Sequence, residues 1–306
     1  MKRLIYSTYI NIPRDDIELQ HKDDDWILEK TKETTDTMLE YKDWLIYTQK
    51  KYADYIGVDY QFTGYGEHYE NFKKTFFSNK PWISTYDIIN FYKLWLMYEY
   101  KDSYDEILYI DFDVVPITKL NVFDELDFKS GVLCRVNHER DPRQYLENLE
   151  PGFFIEMRKK YERSGRTNSI RSPRAKWWNA RALLIDEGFS GDNDVYNTGI
   201  VGASSQQIDK LAYFDDFENT LQLMKGLVTE VNGGWPPYIQ SLFGYDNETL
   251  FSYKMQLNEV KLNDLTREWH FILNERFPYV VKDTKFIHVV NKRLDYVKEW
   301  YEKNNI

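Results

Sequence analysis

The chain has 306 residues with a net charge of −10, enough length to bury a substantial core and too acidic for general nucleic-acid affinity. Cys134 is the sole cysteine, which excludes an internal disulfide and a thiolate metal cluster and fits a reducing, cytoplasmic setting. The start, Met1 to Tyr6, is basic but meets Arg14 and Asp15 before any long apolar run, so it does not read as a signal peptide, and no stretch has the length of a membrane span.

Arg3 to Ile10 alternates and is rich in Ile, Leu and Tyr, which predicts a first strand ending near Tyr9, Asn11 and Pro13. Between Asp24 and Ala53, Trp26, Ile27, Leu28, Met38, Leu39, Leu45 and Ile46 recur at helical intervals and predict one or two helices. Asp59 to Phe62 reads as a second strand. Thr85 to Tyr100 is apolar around so much of its circumference that it predicts a buried helix. Glu106 to Ile110 is an apolar strand running directly into Asp111 and Asp113. Strand, helix, strand, helix, strand is the pattern of a mostly parallel α/β sheet flanked by helices.

Beyond Asp113, Ser130 to Val136 and Val195 to Gly202 read as strands, and one long helix is expected from about Gln206 to Val231. Asp246-Asn247-Glu248 is placed near the middle or end of a further helix. Lys285 to Val290 is a last strand carrying His288, and 291–306 a terminal helix. No linker interrupts the chain, so one domain over 1–306 is expected, with a ligand-binding half at 1–117 and a second half at 118–290. Asn137 to Arg181 holds 11 Lys or Arg against 6 Asp or Glu, a net of +5 on an acidic body. This partly helical insertion reads either as a solvated surface segment or as a lid over an anionic ligand, and it also admits a peripheral membrane contact.

Ligands of open α/β sheets bind outside the carboxyl ends of the strands, where Asp111 and Asp113 stand. Side chains two residues apart in a strand share a face, and two close carboxylates repel unless a cation lies between them. A hard divalent ion, Mg²⁺ or Mn²⁺, with phosphate on its remaining positions is the natural occupant. An Asp-x-Asp triplet can also simply cap a strand.

Further along the chain, Asn197-Thr198-Gly199, Asp246-Asn247-Glu248-Thr249-Leu250 and His288 follow in order. With Ile107 to Asp113 they resemble the motifs of GT-A nucleotide-sugar glycosyltransferases, particularly the retaining glycogenin and lipopolysaccharide galactosyltransferase-like group. The resemblance covers roughly residues 1 to 136 and 190 to 292. It implies a GT-A, Rossmann-like nucleotide-diphospho-sugar transferase fold and transfer of a sugar, from a UDP-sugar by preference, to a saccharide or other hydroxyl acceptor. Asp111, Asp113 and His288 are the implied metal ligands. Tyr9 and Asn11 would face the nucleoside and Asn197 the sugar. Asp246 would stand by the acceptor hydroxyls and Asn247 near the anomeric carbon, with Glu248 completing the catalytic set. The group has Gly three and Lys six positions after its histidine, where this chain has Asn291 and Leu294. The implied diphosphate contact therefore moves to Lys292 or Arg293.

Trp177, Trp178 and Trp235 would stack on sugar rings; simpler roles stay open, namely core packing for at least two of these, a helix-capping pair at Asp246 and Asn247, a turn at Asn197 and a backbone-bonded His288. Two rival functions share the motif. Asp111-Phe112-Asp113-Val114-Val115 also resembles the nucleophile motif of haloacid-dehalogenase phosphatases, with Gly191 to Asp194 as a downstream acidic loop. The third reading is a binding protein that kept the fold without catalysis.

Overall fold

A computed structural model describes residues 1–13, 25–136, 173–190, 193–229, 244–274, 277–304 and 306. In chain order the elements are β1 (Arg3–Tyr9), α1 (Asp25–Glu40), α2 (Lys42–Ile56), β2 (Asp59–Gly64), α3 (Glu67–Phe77), α4 (Thr85–Tyr100), β3 (Glu106–Ile110) and β4 (Val114–Pro116). They continue with α5 (Val122–Glu125), β5 (Val132–Val136), α6 (Pro173–Asp186), β6 (Tyr196–Ser204), α7 (Ser205–Leu211), α8 (Phe217–Thr229) and α9 (Asn247–Leu257). Last come β7 (Leu262–Asp264), β8 (Phe271–Leu273), β9 (Phe286–Val289) and α10 (Leu294–Lys303).

The chain forms two compact units, Met1–Arg135 with Gly199–Asp209 and Leu262–Ile306, and Val136–Thr198 with Lys210–Lys261. The main sheet has the order β2-β1-β3-β6-β5-β7. β1 is parallel to β2 and β3, and β5 is parallel to β7, while β6 runs antiparallel to β3 with Ile110 opposite Ile200. This is the mostly parallel α/β architecture expected from the sequence. β3 is buried at every residue, as a central strand covered on both faces must be, which is why Ile107 to Ile110 form an unbroken apolar run. α4 starts where Ser84 accepts the Asp87 N–H at 3.1 Å. α2 stops at Gly57, whose φ of 71° lets its N–H turn back to the Asp54 carbonyl at 3.3 Å.

Gly202 on β6 is required for a different reason. A Cβ there would stand 2.7 Å from the Phe128 ring and 3.1 Å from a Leu133 methyl, both in the packed core. Gly202→Ala is expected to cost about 1 to 3 kcal/mol, the usual range for overpacking, measured by urea unfolding. Stability equal to the parent would mean that the ring moves aside freely.

A small second sheet, β4-β9-β8, completes the first unit. β4 and β9 are antiparallel with Val114 opposite His288, and β8 runs parallel to β9 with Ile272 opposite His288.

Two sequence expectations about helices need correction. The long helix from Gln206 is two helices, because the chain turns at Ala212 to Asp216, with φ of 46° and 55° at those two residues. A straight helix turns about 200° between Leu211 and Tyr213. Both are buried, so the break is what lets Tyr213 turn inward, its ring 6.2 Å from that of Phe251. Asp246-Asn247-Glu248 stands at the start of α9 rather than its middle or end, because Asp246 caps that helix. Of the basic insertion, 137–172 lies outside the described residues, as do Trp235 and Gly191 to Asp192, while Trp177 and Trp178 fall on α6. Among the described residues no helix is long and apolar enough to cross a membrane.

Candidate functional site

At the end of β3 the chain leaves the sheet. The Asp111 N–H still bonds to the Gly199 carbonyl at 2.7 Å, and then the Val114 N–H turns back to the Asp111 carbonyl at 2.9 Å. Asp111 and Asp113 therefore converge through a turn, and not through the strand period that the sequence suggested. The Val289 N–H bonds to the Asp113 carbonyl at 3.0 Å, which brings β9 and its His288 alongside.

One ligand atom each from Asp111, Asp113 and His288 lies within 4.8 Å of the other two. His288 Nε2 stands 3.4 Å from Asp113 Oδ1 and 3.6 Å from Asp111 Oδ2. Adjacent ligands of an octahedral ion with bonds of about 2.1 Å are separated by about 3 Å, so small closures bring these three atoms onto one ion. The donor set, two carboxylates and an imidazole, suits Mn²⁺ or Mg²⁺ and lacks the thiolates that would select a softer metal.

The outer oxygens are already held. Asp111 Oδ1 accepts the Tyr109 hydroxyl and the Lys93 ammonium, the latter at 3.1 Å, and Asp113 Oδ2 accepts Lys292. Burial alone would raise the Asp113 carboxyl, but the Lys292 ammonium and then His288 outweigh it and hold the group well below the usual carboxylate range. Burial likewise opposes the Lys292 charge, and Asp113 more than offsets it, so that amine is raised. Tyr109 is fully buried, and burial followed by the Asp111 charge keeps its phenol well above the ordinary value and so protonated.

Behind His288 lies a second imidazole. His270 is fully buried and stacked on it, ring centroids 5.2 Å apart and planes 17° from parallel, with His270 Nε2 3.0 Å from His288 Nδ1. Burial lowers the His270 pKa well below the ordinary histidine value, which makes it a neutral partner. Such a contact orients the outer nitrogen of His288 toward the carboxylates.

Tyr9, at the end of β1, stacks on Phe112 with centroids 4.9 Å apart, and burial followed by Asp36 pushes its phenol up to about 12. Asn11 follows on an exposed stretch.

In the second unit Asp246 is a buried helix cap. Its Oδ1 accepts the Thr249 N–H at 2.9 Å, and its Oδ2 accepts the Thr249 hydroxyl at 2.9 Å and Asn179 Nδ2 at 3.2 Å. Asn247 donates through Nδ2 to Thr198 Oγ1 at 2.7 Å, and Glu248 Oε1 accepts the Thr198 N–H at 3.3 Å. Asn247 and Glu248 thus both bond to Thr198, the residue next to Asn197, while Asp246 bonds to Thr249 and Asn179. Sequence reasoning missed Lys93, Tyr109, His270, Asn179 and Thr198. Lys93 had a signal, being the lone basic residue in the apolar α4.

Solved structures that match this chain include glycosyltransferases. One, involved in glycosylation of the major capsid of PBCV-1, aligns over 99% of this chain and 100% of its own, at 12% identity and a TM-score of 0.41. Galactosyltransferase LgtC, in complex with donor and acceptor sugar analogs, aligns over 94% of this chain and 87% of its own, at 11% identity and 0.42. Mouse xyloside xylosyltransferase 1, in its apo form, aligns over 95% and 98%, at 10% identity and 0.40. No family model matches the sequence, and no curated protein matches it.

Proposed function

We propose that this protein is a metal-dependent glycosyltransferase that moves a sugar from a nucleoside-diphosphate sugar, a UDP-sugar by preference, to a saccharide or other hydroxyl acceptor with retained configuration. The observation that carries the reading is the convergence of Asp111, Asp113 and His288, with two ammonium groups on the outer carboxylate oxygens. Those three residues would hold Mn²⁺ or Mg²⁺, which when bound neutralises charge on diphosphate oxygens as a Lewis acid.

The chain's own groups do the rest. Lys292 and Lys93 carry the positive charge available to a departing diphosphate. Tyr9 and Asn11 are assigned to the nucleoside and Asn197 to the sugar. In this scheme Asp246 orients the acceptor hydroxyl, Asn247 stands by the anomeric carbon, and Glu248 holds the Thr198 backbone N–H beside them. Residues 1–117 serve the donor and 118–290 the acceptor. A cytoplasmic setting belongs to the same proposal and rests on the solitary buried Cys134.

A phosphatase needs a free Asp111 oxygen aimed at phosphorus. Here Oδ1 receives Tyr109 and Lys93, and Oδ2 faces His288, which favours a metal ligand over a nucleophile.

Thermal shift with a panel of nucleotide sugars, with and without Mn²⁺, tests the proposal. A rise in Tm that needs both ion and nucleotide is expected. No rise with any nucleotide, or Mg²⁺-dependent turnover of a simple phosphomonoester, overturns it. In the same assay His288→Ala is expected to weaken Mn²⁺ binding roughly tenfold without abolishing it, since both carboxylates remain. Parent-like affinity would return His288 to a structural role.

A further inference from the structure

Gln49, on α2, is completely buried, yet every polar atom of its side chain is engaged. Its Nε2 lies 2.9 Å from the Val114 carbonyl, 3.2 Å from that of Phe112 and 3.3 Å from that of Asp111. Its Oε1 accepts the Ser7 hydroxyl at 2.6 Å and the Tyr60 hydroxyl at 2.9 Å. Ser7 belongs to β1 and Tyr60 to β2, so one amide ties the two neighbouring strands to the turn that carries both carboxylates.

Only one orientation of the amide satisfies this surrounding. An amide oxygen facing three carbonyl oxygens would be repelled, whereas the NH₂ group supplies two hydrogens to share among them. The two hydroxyl donors fill the lone pairs of Oε1. Burial pushes the Tyr60 phenol up to about 12, so it keeps its proton for this bond.

The Asp111 carbonyl also accepts the Val114 N–H at 2.9 Å, but the chain has left the ladder of β3 here, and the Gln49 amide is the side-chain donor to the carbonyls of Phe112 and Val114. A buried carbonyl without a donor is strongly disfavoured, and a turn that lost the amide would rotate the Phe112 and Val114 peptides toward other partners. Each such rotation moves the Cα–Cβ bonds of Asp111 and Asp113. Ligand distances in a working metal site tolerate only about 0.2 Å.

We propose that Gln49 is a positioning residue for the metal site: it fixes the backbone of Asp111 to Val114 so that the two carboxylates converge on His288. The inference rests on the metal-site reading above. Gln49 touches neither ion nor substrate, and acts only through the turn.

The test is a Mn²⁺ titration without nucleotide, followed by electron paramagnetic resonance of the free ion, alongside thermal unfolding of each variant. Gln49→Met keeps the volume and removes both hydrogens. It is expected to bind Mn²⁺ at least about tenfold more weakly while still unfolding cooperatively. Tyr52→Phe, on the same helix, loses the hydroxyl that donates to the Leu120 carbonyl and accepts the Val122 N–H, neither of which belongs to the turn. Its expected result is a lower Tm with parent affinity for Mn²⁺. Tyr60→Phe, a milder change, removes one of the two hydroxyls that orient Gln49 and keeps the test available should Gln49→Met not fold; a twofold to threefold loss of affinity, on the order of one shared hydrogen bond, is expected.

A Gln49→Met protein that loses Tm but binds Mn²⁺ like the parent, or a Tyr60→Phe protein with unchanged affinity when Gln49→Met does not fold, makes Gln49 a purely structural residue. A parent protein that binds no Mn²⁺ instead removes the metal reading itself. The two failures are therefore distinguishable.

Discussion

Asp111→Asn is expected to abolish Mn²⁺-dependent binding of UDP in calorimetry, and Asp113→Asn to do the same. The first result follows from what surrounds Oδ1, which receives both the Tyr109 hydroxyl and the Lys93 ammonium. An asparagine must keep its carbonyl oxygen there, so its NH₂ group is forced to the Oδ2 position facing His288. A donor then stands where the ion needs a lone pair. In Asp113→Asn the charge that balances Lys292 is gone, and either rotamer aims an NH₂ group at Lys292 or at the ion. Losses beyond about a hundredfold are expected, above the range for outer-shell partners. Each variant should stay folded, since the cost of about 1 to 3 kcal/mol for a mispaired buried group lies below the stability of an ordinary domain. Unchanged affinity in both would sink the metal hypothesis.

The second large effect is at Asp246, where stability and catalysis separate. Asp246→Ala removes a helix cap and strands Asn179 Nδ2 and the Thr249 hydroxyl, for a loss of about 2 to 4 kcal/mol in denaturant unfolding together with loss of transfer. Asp246→Asn keeps an acceptor for the Thr249 N–H and so keeps most of the cap. Its NH₂ group then faces Asn179 Nδ2, for a cost of about 1 to 3 kcal/mol, so the variant stays folded at a lower Tm and, if the carboxylate orients the acceptor hydroxyl, loses kcat at temperatures where it is folded. Parent kcat in Asp246→Asn would leave Asp246 as a cap alone.

The difference between what sequence revealed and what it hid follows from the range of the interactions. β3 and α4 were legible because burial on all sides leaves a local record, an apolar run in one and an apolar circumference in the other. Asp111 and Asp113 were legible because the strand ends at them. The break after α7 was not, since Ala212-Tyr213-Phe214-Asp215-Asp216 contains neither Gly nor Pro and takes its two left-handed residues from the demand to bury Tyr213. β4 and β8 are three residues long, too short for a period to show. Gln49, Asn179 and His270 act on partners far away in sequence, and no spacing near them announces it.

The small sheet of β4, β9 and β8 has a consequence for folding as well as for binding. It sets Val114 against His288, and Lys292 reaches Asp113 across 179 residues of chain. Closing so wide a loop comes late and slowly compared with helix formation. A chain in which β9 has not yet docked offers the carboxylates of one turn and no imidazole, so the complete ligand set exists in the finished tertiary structure alone. An ion held there stabilises that structure by mass action and withholds itself from partly assembled forms. On the metal reading proposed above, chelation would open a clasp between distant stretches of the chain where a local staple would have left them joined.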